Sequence, residues 1–193
     1  MHGDPERSLC KMKVLVIPDV HLKPQMFKQA AALLQAGVAG RAVCLMDIPD
    51  DWDKQFDIAL YEETYDEAIR FAKKFPETAW CYGNHDLSYF WHCLESGYSS
   101  LADYTVQRKL LDLRAAVPEN NPIRLRPQGR KMRLYKPRKL LQVVGHTPMD
   151  RITKEGNLIS TDVFSTYRDG RPIGTEEFLL LDTVTWEYEG VKI

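Results

Sequence analysis

The chain is poor in the side chains that hold metals and redox centres. Among 193 residues there are five histidines, His2, His21, His85, His92 and His146, and four cysteines, Cys10, Cys44, Cys81 and Cys93. The cysteines are scattered with no C-x-x-C pair, which excludes a zinc knuckle or a dithiol redox motif, so reduced and mostly buried thiols are expected. No apolar run approaches the roughly 18 residues that cross a bilayer, and the opening MHGDPERSLCKMK lacks the apolar core of a secretory signal. Repeats and low-complexity tracts are absent too. With 44% apolar and 27% charged residues, the chain reads as one folded domain, residues 1–193, with the cytoplasm as its expected location and no membrane partner. The eleven residues before Met12 read as an extension, because the first strand needs nothing in them.

One sign of charge is missing from each of two stretches. The net charge is only -1, yet Asp47 to Glu67 holds nine acids and one base, and Arg124 to Lys139 holds eight bases and no acid. The basic run, part of an irregular segment 117–139, can steer phosphorylated ligands or be solvated surface. With Tyr135 as its single aromatic it is a poor stacking platform for single-stranded nucleic acid, so nucleic acid is not the expected partner.

What is present is a repeating pattern of buried strands that end in polar groups. Three short apolar runs, VLVIP (14–18), AVCLM (42–46) and TAWCY (78–82), each have the length of a buried strand. The stretch QMFKQAAALLQAG separates the first two and has apolar residues at helical spacing, with Gly37 placed to stop it. The stretch FDIALYEETYDEAIRFAKKF separates the second and third and puts Ile58, Tyr61, Tyr65, Ile69 and Ala72 on one stripe. Strand, helix, strand, helix, strand implies parallel strands with right-handed crossovers. A further helix is expected over DYTVQRKLLDLRAA. Later strands are expected at LLQVVGH, NLISTDVFSTY, EEFLLLDTV and TWEYEGVKI, mostly antiparallel.

Open parallel sheets bind ligands beyond the carboxyl ends of their strands. After the three runs come Asp19-Val20-His21, Asp47-Ile48-Pro49-Asp50 and Gly83-Asn84-His85-Asp86. Residues two apart on extended chain face the same way, so Asp19 and His21 are expected to converge. With a carboxylate from the neighbouring strand they make a divalent metal site. Each of these residues also has a plainer reading: His21 as a surface histidine, Asn84 and Asp86 as turn formers, His146 as part of the bend that Pro148 completes. Asp50, Asp51 and Asp53 read as solvated or capping acids, Asp50 alone with a functional reading beside it, His92 as an aromatic-cluster residue ahead of a ligand, and Tyr89, Phe90, Trp80 and Trp91 either wall a cleft or pack a core.

In order along the chain, D-x-H (Asp19, His21), D-x-x-D (Asp47, Asp50), G-N-H-D (Gly83 to Asp86) and G-H-T (Gly145 to Thr147) resemble the calcineurin-like metallophosphoesterases. The likeness runs from Val14 to about Thr147. It implies an α/β/β/α sandwich of mixed sheets, with a parallel N-terminal βαβαβ unit and antiparallel C-terminal strands, carrying two divalent ions of manganese, iron or zinc. By this resemblance Asp19 and His21 hold the first ion, Asp47 bridges both, and Asn84 and His146 hold the second. His85, supported by Asp86, protonates the leaving oxygen of a phosphorylated substrate, and Asp50 orients groups around the bridging carboxylate.

Two departures from the family pattern stand out. Met46 and DDWD occupy the place of a glycine and a substrate-gripping arginine in the second motif, so a basic residue must come from elsewhere. The metal-binding histidine normally found between G-N-H-D and G-H is missing, as if a segment near Pro118 had been lost. Impaired turnover, or a degenerate member that binds metal or phosphate without turnover, is the alternative that this absence motivates.

Overall fold

The structure is a computed structural model and describes residues 12–121, 123–125 and 140–193. The expected N-terminal extension and residues 126–139 of the basic run lie outside the described residues. The described residues form four helices and nine strands, the strands making two mixed sheets.

The first half follows the local pattern of the sequence. Strand β1 (Lys13–Ile17), helix α1 (Gln25–Gln35), β2 (Arg41–Cys44), α2 (Ile58–Lys74) and β3 (Ala79–Tyr82) alternate as expected, and β1–β2 and β2–β3 pair parallel. On α2 the buried residues are Tyr61, Thr64, Tyr65, Ala68, Phe71 and Ala72. This stripe recurs every three or four residues, as a helix packed on a sheet requires. Asp57 caps α2, its Oδ1 accepting from the Leu60 N–H at 3.1 Å, which satisfies one of the helix's otherwise unpaired donors. Two further helices, α3 (Asn84–Trp91) and α4 (Asp103–Ala116), complete the helical layer.

Past α4 the sheet grows at both edges. A two-residue strand, β4 (Arg124–Leu125), adds parallel to β3. The edge position beyond β3 is therefore occupied, although no histidine separates β4 from His146. At the other edge β8 (Phe178–Asp182), buried at all five positions, inserts antiparallel between β1 and β9 (Tyr188–Val191). The six-stranded order is β4-β3-β2-β1-β8-β9. A smaller sheet holds β5 (Gln142–Val144), β7 (Leu158–Ser160) and β6 (Thr153–Glu155), in that order. Against the expectation of antiparallel C-terminal strands, β5 and β7 pair parallel, while β6–β7 and β8–β9 are antiparallel.

Two cores result. On one face of the large sheet, Leu15 and Ile17 pack with Met26, Phe27, Tyr65 and Phe71 of the helices. On the other, Val16, Leu179 and Leu181 meet Ile159 and Val143 of the small sheet. Successive residues of β1 thus serve opposite cores, as strand alternation dictates. All described helices precede the small sheet in the chain, and no described helix follows it. No described helix is long and apolar enough to cross a membrane. Cys44 is a buried and Cys93 an exposed free thiol.

Candidate metal centre

Strands β1 and β2 end level, with Ile17 opposite Cys44, and β3 runs two residues beyond Trp80, which stands opposite Cys44, so the loops that follow leave the same edge of the sheet. The first two loops zip together: the N–H groups of His21 and Leu22 donate to the carbonyls of Asp47 and Ile48, both at 2.9 Å. This brings Asp19, His21 and Asp47 to one place, each offering a ligand atom within 4.8 Å of the others. Asp19 and Asp47 are buried. The cause of convergence differs from the expected strand alternation. β1 has ended by Ile17, and His21 and Leu22 form a left-handed turn with φ of 42° and 56°.

Left-handed backbone recurs around the cleft, at Met46 (58°), Asp47 (44°), Asp50 (66°) and His146 (77°). Such φ values cost roughly 1 kcal/mol or more for non-glycine residues and gather at functional sites. Met46 adopts the conformation in place of the glycine of the resembled motif, and its fully buried side chain anchors the turn in the core.

Fixed donors hold the loops. Asp86, wholly buried, accepts from three backbone N–H groups: Asp47 at 2.8 Å, Gly83 at 2.9 Å and Ile48 at 3.1 Å. Burial pushes its carboxyl up to about 7, helped by the Asp47 charge and opposed by those three donors. Asp86 thus staples the second and third loops together and is taken up by backbone, not by His85. The His85 ring meets Asp50 instead, Nδ1 to Oδ2 at 3.0 Å. The other Asp50 oxygen accepts from the phenols of Tyr61, at 3.0 Å, and Tyr89. The sequence shows Tyr61 only as part of a helix stripe, and nothing local marks either phenol as a partner of Asp50. Burial pulls the His85 pKa down, but the Asp50 hydrogen bond and the charges of Asp47, Asp50 and Asp86 outweigh it, and the net shift is upward.

Two glycines are required by close approach. A Cβ on Gly83 would overlap the Asp47 carboxylate, and one on Gly145 would overlap that of Asp19. The motif glycines therefore seat two of the candidate ligands. The third loop does not stay irregular as turn-forming residues suggest: Asn84 opens α3 immediately, and His85 N–H donates to Asp47 Oδ1 at 2.8 Å. His92 ends that helix with φ 50° and lies near Asp103, away from the cleft lining.

The far side comes from much later in the chain. His146 follows β5 and lies against Asn84, Nδ1 to Oδ1 at 2.8 Å, and its backbone N–H donates to Asp19. Asp51 departs from the solvated reading: it pairs with the nearly buried Lys23 at 3.1 Å and accepts from Thr166 Oγ1 at 3.1 Å. Asp162, which the sequence reading passed over, lines the same cleft and is 1% exposed. It lies two residues beyond the end of β7, so the strand-end rule that marks Asp19 could have found it.

The donor set fits divalent cations. His21 Nδ1 faces the Asp50 carbonyl at 2.9 Å, and a carbonyl only accepts, so Nδ1 carries the proton and Nε2 keeps the lone pair a metal needs. Burial, then the neighbouring His85, lowers the His21 pKa and favours this neutral form. One Asp162 oxygen accepts from Ser165 at 2.7 Å, while the other is buried with no hydrogen-bond partner among the described residues. Burial, then the Asp19 charge, raises the Asp162 pKa. Several acids this close and this dry call for positive charge. Nitrogen and oxygen donors suit manganese, iron or zinc alike. The whole lines an open cleft of about 440 Å³.

Comparisons with protein-family models, with curated proteins and with solved structures find no match for this chain.

Proposed function

We propose that this protein is a metal-dependent phosphoesterase of the calcineurin-like type, hydrolysing a phosphate ester at a dinuclear site. The observation that carries the reading is the convergence of Asp19, His21 and Asp47 beside the Asn84–His146 pair. On this reading the helical layer and the two facing sheets are three layers of that family's α/β/β/α sandwich, and the second helical layer has no counterpart among the described residues. Asp19, His21 and Asp47 would hold one ion, and Asp47, Asn84 and His146 the other, while Asp162 lines the same cleft. When bound, such a pair of ions supplies an acidified water and neutralises charge on the phosphoryl oxygens.

The chain's own groups do the rest. As the water oxygen bonds to phosphorus and the ester P–O bond breaks, the leaving oxygen takes a proton from His85 Nε2. Asp50 holds the opposite ring nitrogen, fixing the ring's orientation and keeping it protonated to higher pH. Tyr61 and Tyr89 hold Asp50 in turn, so the proton donor is aimed by a chain of three side chains.

Purified protein given manganese and a chromogenic aryl phosphate is expected to release product. Asp47→Ala and His85→Ala should each lower the rate by about 10²-fold or more. Variants as fast as the parent would falsify the proposal. A second reading, a metal- or phosphate-binding module without useful turnover, draws on the sparse second half of the site, where among the described residues only Asp47, Asn84 and His146 are at hand. Counting bound ions separates the two: two per chain favours the enzyme, one without hydrolysis favours the binder.

A further inference from the structure

Among the described residues, the cleft is lined by six carboxylates, those of Asp19, Asp47, Asp50, Asp51, Glu95 and Asp162, and by one guanidinium, that of Arg168. Lys23 is spent on Asp51 and on the His21 carbonyl. Such a wall repels a phosphate dianion wherever bound cations do not offset it. The second loop does not help, because Asp51 follows Asp50 directly where the resembled motif often carries arginine.

The geometry points to Arg168 as the phosphate clamp of this cleft, a role that rests on the metallophosphoesterase reading above. Its Cζ lies 4.7 Å from the centroid of the Trp52 ring. Trp52 belongs to the loop that carries Asp50, the partner of His85, so the guanidinium is shelved beside the groups that handle the leaving oxygen. A cation–π contact of this kind uses the positive charge and no N–H donor, so the guanidinium N–H groups remain for a ligand and match the spacing of phosphoryl oxygens. The adjacent acid does not neutralise it: Asp169 is bonded to Arg171 at 2.8 Å. The turn that presents Arg168 is itself fixed. Tyr167 N–H donates to the Arg171 carbonyl and Ile173 N–H to that of Ser165, both at 2.9 Å, and Thr166 is tied to Asp51. The cation that the second motif lacks is therefore delivered from the segment between β7 and β8.

The test is binding of inorganic phosphate to the manganese-loaded protein by titration calorimetry, with manganese affinity measured separately. Arg168→Ala is expected to weaken phosphate by about 10- to 100-fold, Arg168→Lys by less, and Trp52→Ala by an intermediate factor as the shelf is lost. Manganese affinity should not move in any of them. With the aryl phosphate the loss should fall more on KM than on kcat. Phosphate affinity equal in parent and Arg168→Ala overturns the clamp, as does a parent that takes up manganese but no phosphate. A parent that takes up no manganese removes the underlying reading, and the clamp with it.

Discussion

The inner corner of the cleft and its rim are built by opposite means. In the corner, Asp19, Asp47, Asp50 and Asp86 are at most 1% exposed, and both oxygens of Asp50 and of Asp86 meet a backbone N–H, a phenol or an imidazole. At the rim, Tyr167 and Arg168 are exposed and held by a short turn and by the contact of Arg168 with the Trp52 indole. A buried corner suits proton handling and charge, because in a low dielectric each fixed donor counts for more and none must reorganise. An exposed rim suits capture of a charged ligand from water. The difference separates what the site does from what it admits, and the two should fail separately.

The sharpest way to break the comparison is at Asp86. Asp86→Ala strands three backbone N–H groups in the corner, each worth roughly 1–3 kcal/mol, so a loss of about 3–5 kcal/mol in chemical denaturation is expected. A loss below about 1 kcal/mol would mean the corner is softer than its burial implies. Next comes Asp50→Asn, which leaves the fold but unhooks His85. The rate should fall by about 10²-fold. Because Asp50 raises the His85 pKa and the protonated ring is the donor, the alkaline limb of the kcat profile should shift to lower pH. Titration of the His85 ring by NMR should shift the same way. The smallest effect is expected at the rim, where Thr166→Ala removes one hydroxyl bond to Asp51. About 1 kcal/mol or less of stability should go, with a modest rise in KM.

Legibility in the sequence divides along the same line. Strands β1 to β3 and helices α1, α2 and α4 are visible because their periodicity is local: α4 runs from Asp103 to Ala116, the span the pattern predicts. The corner's Asp19, His21, Asp47 and Asn84 could be named because each stands just past a buried run. What escaped depends on distant partners. Helix α3 hides behind Gly-Asn, residues that usually mark turns, and forms because Asp86 reaches back to Gly83 and across to Asp47. Strand β4 is two residues long, and β6, reading Thr-Lys-Glu, has no apolar signature. The parallel pairing of β5 with β7 is a matter of register between segments, which neither segment encodes alone. The Asp50 partnership of His85 could not be told from one with Asp86, because adjacency in sequence favours the wrong carboxylate. Trp52 and Arg168 meet across more than a hundred residues and carry no local mark of that encounter.

The bond from the His146 backbone to Asp19 joins positions 127 apart in the chain. It is a clasp between the loop that follows β1 and a loop that emerges from the ribosome more than a hundred residues later. Until that clasp shuts, the parallel half has Asp19, His21 and Asp47 together but no second wall. On the dinuclear reading proposed above, tight uptake of a second ion would report that this long-range clasp had closed, making the metal a gauge of folding.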